Sequence, residues 1–164
     1  MDYNNALFAD LPLYMIQSLQ SIINCAIRFI YNVGWRGNIS PYIEKSHILP
    51  VKYRIDFKIC VLVFNCLHQM APVYLQNLLL WNIPSLPATD QSSTNYIPRS
   101  TQDPSLLTIS NDFGNKTKYR SRTFSHYAPR VWNKLPYRLR TCSDKETFKK
   151  ELKTHYFNLY LVTQ

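Results

Sequence analysis

Apolar residues in the first third of the chain recur at helical spacing. Ile16, Leu19, Ile23, Ala26, Ile30 and Val33 follow one another at steps of three and four, which puts them on one side of a helix of more than four turns. Asp10 stands where a cap is needed, and Pro12 suits a first turn whose N–H groups have no helical partner. Gly34 or Gly37 marks the end. Ser40-Pro41 opens a second, short helix to about His47, and Pro50 breaks it. The third helix, 51–70, carries a wide stripe of Ile55, Ile59, Leu62, Val63, Cys66, Leu67 and Met70. Arg54 and Lys58 lie one turn apart on its polar flank, and Asp56 points elsewhere. Ala71-Pro72 starts a short fourth helix, 73–80, with Tyr74, Leu75, Leu78 and Leu79 facing inward. Such helices are not stable singly, so their apolar faces must pack together.

The pattern then changes. Residues 82–105 are rich in Pro, Ser, Thr, Asn and Asp and have no period, as in a connector. LLTIS (106–110), a turn at 111–114 and TKYRSRTF (117–124) predict a short β-hairpin. Residues 126–133 suit a short helix. The last helix opens on a capping box of Ser143 and Glu146. Phe148, Leu152, Tyr156 and Leu159 form its inner face, and Lys145, Lys149, Lys150 and Lys153 line the other side. The fold expected is mainly α: a helical region at 1–80, a polar connector at 81–115 and a basic C-terminal module at 116–164, with the hairpin and a C-terminal amphipathic helix in the last part.

Charge sharpens this division. Residues 1–115 hold seven Lys/Arg and seven Asp/Glu, whereas 116–155 hold twelve and three, so the later segment carries the whole net charge of +9. Concentrated positive charge is the electrostatic footprint of a polyanion partner, and its bland counterpart is a solvated basic face. Cys25, Cys60, Cys66 and Cys142 form no CxxC pair, and three of them sit in apolar helical runs, so buried free thiols are expected. The opening MDYNNALFADLP has no signal-peptide character, and the longest apolar run, ICVLVF (59–64), is of core length. A cytoplasmic or nuclear location follows, with no membrane partner.

Enzyme chemistry finds no support. The aspartates are scattered and no two acids adjoin, which disfavours a two-metal site. Cys60, Cys66 and His68 point apart on a helix, against a zinc set. No nucleophile elbow or Gly-rich phosphate loop is present. No catalytic residue, metal, cofactor or small-molecule substrate is assigned.

The run RSRTFSHYAPRVWNKLP (120–136) mixes cations with aromatics. Arg120, Arg122 and Arg130, with Lys116, Lys118 and Lys134, are the phosphate-contact candidates, and Arg138, Arg140, Lys149 and Lys153 extend the set. Tyr119, Tyr127 and Trp132 are candidates for stacking on unpaired bases, as is Phe124. The competing reading makes Phe124, Val131, Trp132 and Leu135 core residues, with the cations projecting outward.

Three blocks, in order, resemble the C-terminal region of LINE-type non-LTR retrotransposon reverse transcriptases of the chicken-repeat and Jockey-like group. They are MDYNNALFADLP with IQSLQSIINCAIRFI (1–30), LPVKYRIDFKICVLVFNCLHQMAPVYLQNLL (49–79), and KTKYRSRTFSHYAPRVWNKLPYRLRTCSDKETFKKELKTHYF (116–157). The resemblance implies thumb-like helices followed by a C-terminal extension, with the polymerase aspartates and the endonuclease upstream of this chain. It makes Met1 a start within a truncated copy. It implies binding of element RNA or target DNA by the basic segment, and docking on the palm of a full-length enzyme. Arg28, Arg54 and Lys58 become strand-backbone contacts. The CCHC spacing of some relatives is missing, so no metal site carries over. A packing or interaction module and a relic without function are the alternatives.

Overall fold

The structure is a computed structural model in which residues 5–81, 103, 105–108 and 120–162 are described. It is mainly α-helical. A 3-10 turn, Asn5–Phe8, precedes α1 (Leu13–Ile30), α2 (Ser40–Lys45), α3 (Val51–Leu67) and α4 (Val73–Gln76). Two-residue strands follow, β1 (Leu80–Trp81) and β2 (Leu107–Thr108), then a second 3-10 turn, Arg120–Arg122. The chain ends in α5 (Phe124–Trp132), α6 (Tyr137–Arg140) and α7 (Lys145–Val162).

α3 is the central element. It packs on the first 3-10 turn, α1, α4, α5 and α7. With neighbours on so many sides it buries Cys60 and Phe64 as well as the predicted Ile55, Ile59, Val63 and Cys66. Phe64 stacks on Phe148 of α7 with ring centroids 4.5 Å apart, and Trp132 of α5 lies 5.8 Å from Phe148. This aromatic group lies at the centre of a core drawn from residues 9–79, 107 and 128–160. Gln20 of α1 accepts a 2.8 Å hydrogen bond from the Val51 amide, which satisfies an orphan donor at the start of α3.

Helix ends depart from the sequence reading. α1 ends at Ile30, ahead of either glycine, and Asn32, just past its Tyr31 cap, is left-handed at φ 50°. The Val33 amide then bonds to the Arg28 carbonyl at 2.9 Å, and the Asn32 amide faces the Phe29 carbonyl. α3 ends in the same way on Gln69 (φ 58°), with the Met70 amide 2.8 Å from the Asn65 carbonyl. These are left-handed C-terminal caps made without glycine. Pro12 and not Asp10 occupies the N-cap of α1. Asp144 caps α7 through the Thr147 amide at 2.7 Å, in place of Ser143.

Three inward faces also shift. α1 buries Ile23 and Ile27 and leaves Ala26 and Ile30 exposed. Tyr74, Leu78 and Met70 are exposed, while Leu79 is buried. α7 buries Tyr160 rather than Leu159, continuing the four-residue step from Phe148 through Leu152 and Tyr156.

The predicted hairpin does not form as drawn. β2 pairs antiparallel with β1, Leu80 opposite Thr108 and Trp81 opposite Leu107. Of the expected second strand, 117–119 lie outside the described residues, 120–122 form a 3-10 turn and Phe124 begins α5. The reason lies at the C-terminal end of α5. The Asn133 side chain accepts from the Leu107 amide and donates to the Leu107 carbonyl, both at 2.9 Å, so it acts as a strand partner. Trp132 donates its indole N–H to the Ser105 carbonyl at 3.0 Å.

Candidate nucleic-acid interface

The structure sorts the predicted cations into several environments. Lys116, Lys118 and Tyr119 lie outside the described residues, and Arg120 is placed by its backbone alone. Arg130 and Lys134 are exposed, four residues apart on the outer side of α5 and the turn that follows it. The opposite side of α5 supplies Ala128, Val131 and Trp132 to the core. This is the amphipathic division that sends cations to solvent.

Other predicted contacts are already used within the protein. Arg140 forms a 2.7 Å ion pair with Asp103, and its side chain is only 9% exposed. Its Nε and Nη1 are buried without partners. It is a structural residue, not a phosphate contact. Asp103 in turn accepts from the Ser105 amide and hydroxyl, which with Arg140 hold its carboxyl below the usual range. Arg138 pairs with Glu151 at 2.8 Å and Lys149 with Glu146 at 2.7 Å. Both pairs are largely solvent-exposed, hold their side chains weakly and are open to exchange for phosphate. Lys153 lies 5.9 Å over the Phe157 ring and is otherwise exposed.

The thumb-like candidates do not join the α5 cations. Arg28 turns back on its own chain and donates to the Gly34 and Gly37 carbonyls at 2.7 and 3.0 Å. Arg54 is half-buried and Lys58 exposed. By helical period they lie about 200° around α3 from Asp56, which faces Tyr127 of α5.

The stacking candidates are corrected as well. Trp132 is 1% exposed, so no base reaches its ring. Phe124 is half-buried against the core. Tyr127 is half-buried and donates its hydroxyl to Asp56 at 2.7 Å. Burial raises the Asp56 carboxyl above its ordinary range, while Tyr127, Lys52 and Lys134 oppose that shift. Burial and the Asp56 charge push the Tyr127 phenol upward.

Lys52 was not foreseen. It is exposed near Asp56 and lines a cleft of about 460 Å³ together with Arg122. Its one sequence signal was its place one turn before Asp56.

Among the described residues no group of three His, Cys, Asp or Glu is arranged to hold a metal, and no helix is long and apolar enough to cross a membrane. No protein-family model matches the chain, and neither the curated proteins nor the solved structures hold a match to it.

Proposed function

We propose that this chain is a non-catalytic, thumb-like segment of a non-LTR retrotransposon reverse transcriptase that binds RNA or single-stranded DNA by charge. The observation that carries the reading is the exposure of Arg130 and Lys134, which have no ion pair among the described residues, beside a segment with large excess positive charge. Lys150 and Lys153 of α7 add exposed cations. Contacts of this kind are sequence-tolerant and salt-sensitive. The test is anisotropy of labelled single-stranded RNA with the full chain over a salt series. Changing Arg130, Lys134 and Lys153 together to Ala removes three phosphate contacts and lowers the log–log slope by about 2. An unchanged slope in the folded triple variant rejects the reading.

A second reading rests on α1. Met15, Leu19, Ile22, Ala26 and Phe29 form a 4-3-4-3 stripe, and Met15, Ile22 and Phe29 are 41, 52 and 89% exposed. The helix carries a single charged residue, Arg28, and that guanidinium is bound to backbone carbonyls. Two copies of a strongly basic protein meet with least repulsion along such a face. Self-association through α1 predicts a dimer by light scattering that Ile22→Glu dissociates.

A further inference from the structure

The N-terminal ends of α1 and α3 and the Arg120–Arg122 turn enclose the cleft of about 460 Å³. That size lies within the range of ligand pockets. Phe8, Leu11, Pro12 and Ile16 are among its apolar walls, with Ile55 also lining it. The polar lining is Asp10, Lys52, Ser121, Arg122 and Tyr127.

Two features of this lining restrict the occupant. Lys52 and Arg122 have no hydrogen bond or ion pair among the described residues, although Arg122 is half-buried. Two cations at one cleft recognise a multiply charged anion, and a guanidinium suits phosphate geometry in particular. Asp10 lines the same cleft and is exposed, and its carboxylate has no hydrogen-bond partner among the described residues. An aliphatic acid would satisfy the cations but place hydrocarbon against that carboxylate. A ligand that combines an anion, a flat apolar body and a donor edge satisfies all three.

We propose that this cleft binds one nucleotide with an amino-bearing base. Its phosphate lies at Lys52 and Arg122, its base packs against Phe8, and its exocyclic amine donates to Asp10. Cytosine offers such an amine, and carboxylate acceptance from it is a known pairing chemistry. The nucleotide is free or is the 5′-phosphorylated end of a strand. The choice of ligand rests on the nucleic-acid reading above.

Calorimetric titration of the full chain tests this, with CMP, UMP, cytidine and inorganic phosphate as probes. CMP binds at least tenfold more tightly than cytidine or inorganic phosphate. Lys52→Ala and Arg122→Ala each weaken CMP about tenfold, and Asp10→Asn removes the preference for CMP over UMP. Circular dichroism establishes that each variant is folded, and the milder Lys52→Gln and Arg122→Lys replace any that is not. Equal binding of inorganic phosphate and CMP, or unchanged CMP affinity in the cation variants, overturns the proposal. A 5′-phosphorylated oligocytidine that competes with CMP while its unphosphorylated form does not identifies the strand end as the source. Competition by neither leaves the free nucleotide as the ligand. Strand binding that is retained without CMP binding sinks the cleft alone, whereas CMP binding without strand binding sinks the strand reading alone.

Discussion

Asn133→Ala isolates the device that holds residue 107 in place. In the native protein the Asn133 amide closes both hydrogen bonds of the Leu107 backbone, each at 2.9 Å. Leu107 is 2% exposed, so water does not easily replace the lost partner. Two bonds are removed, and a buried donor and acceptor are left open. A net bond is worth about 1 kcal/mol, and an orphaned buried polar group costs about 1–3 kcal/mol. Partial access of solvent from the side of half-buried Asn133 places the loss near the lower end, about 2–3 kcal/mol in all. For a chain of this size that lowers Tm by about 4–12 °C. Thermal and urea unfolding followed by circular dichroism measure it. Asn133→Asp supplies an internal check. A carboxylate accepts from the Leu107 amide but repels the carbonyl, whereas the protonated acid both accepts and donates. Its folded-state pKa is therefore raised, and its stability deficit relative to the native chain grows as pH rises through that value and shrinks in acid. A loss under 0.5 kcal/mol for Asn133→Ala, with no acid recovery in Asn133→Asp, would refute the reasoning.

Three further outcomes are expected. Tyr127→Phe removes the donor to Asp56 and costs about 1.5–3 kcal/mol at neutral pH, measured by urea unfolding. Because burial raises the Asp56 pKa in the folded state, its contribution favours folding at low pH and is lost as pH rises through the raised value. Asp56→Asn, which keeps the acceptor, removes that part of the pH profile. Trp132→Ala costs about 3–5 kcal/mol in a melt, whereas Trp132→Phe folds and binds single-stranded RNA with unchanged affinity, since the indole is core. In the native protein a thiol reagent modifies exposed Cys25 rapidly and leaves Cys60 unmodified, because burial pushes the Cys60 thiol up to about 12; mass mapping of the labelled peptides reads this out.

The helices were legible because their apolar spacing is set by the same burial that stabilises them. α1, α3 and α7 appear within a few residues of their predicted spans. Their ends were less legible. With three glycines in the chain, Asn32, His47 and Gln69 take up left-handed backbone that sequence rules assign to glycine. The expected burial of the free thiols holds at Cys60 and Cys66, fails at Cys25, which is exposed on α1, and is only partial at Cys142. The hairpin misreading has a tertiary cause. β propensity at 106–110 predicts pairing with the nearest later strand, yet Leu107 is held by a side chain of residue 133 and paired with residue 81. Of the candidate site, the solvent positions of Arg130, Lys134 and Lys153 were legible from amphipathic spacing. The burial of Arg140 was not, because its partner Asp103 lies 37 positions away.

Net charge therefore describes this surface less well than the fate of each acid. The segment 116–155 contains three acids, and the fold gives each a local task. Asp144 caps α7, Glu146 holds Lys149 and Glu151 holds Arg138. Asp103, from the preceding segment, takes Arg140. No acid of the segment is left to neutralise Arg130, Lys134, Lys150 or Lys153, and the nearby Asp56 acts on Lys134, which shares it with Lys52. Exposed like charges of this kind repel one another across the folded surface, at a cost that falls when a polyanion or salt screens them. A chain built in this way is more stable with a bound polyanion than without one. Heparin, as a sequence-free polyanion, should raise Tm at low ionic strength, and the gain should vanish in the Arg130, Lys134, Lys153 triple Ala variant. An equal gain in both proteins would place the polyanion on other cations and remove Arg130, Lys134 and Lys153 from the interface.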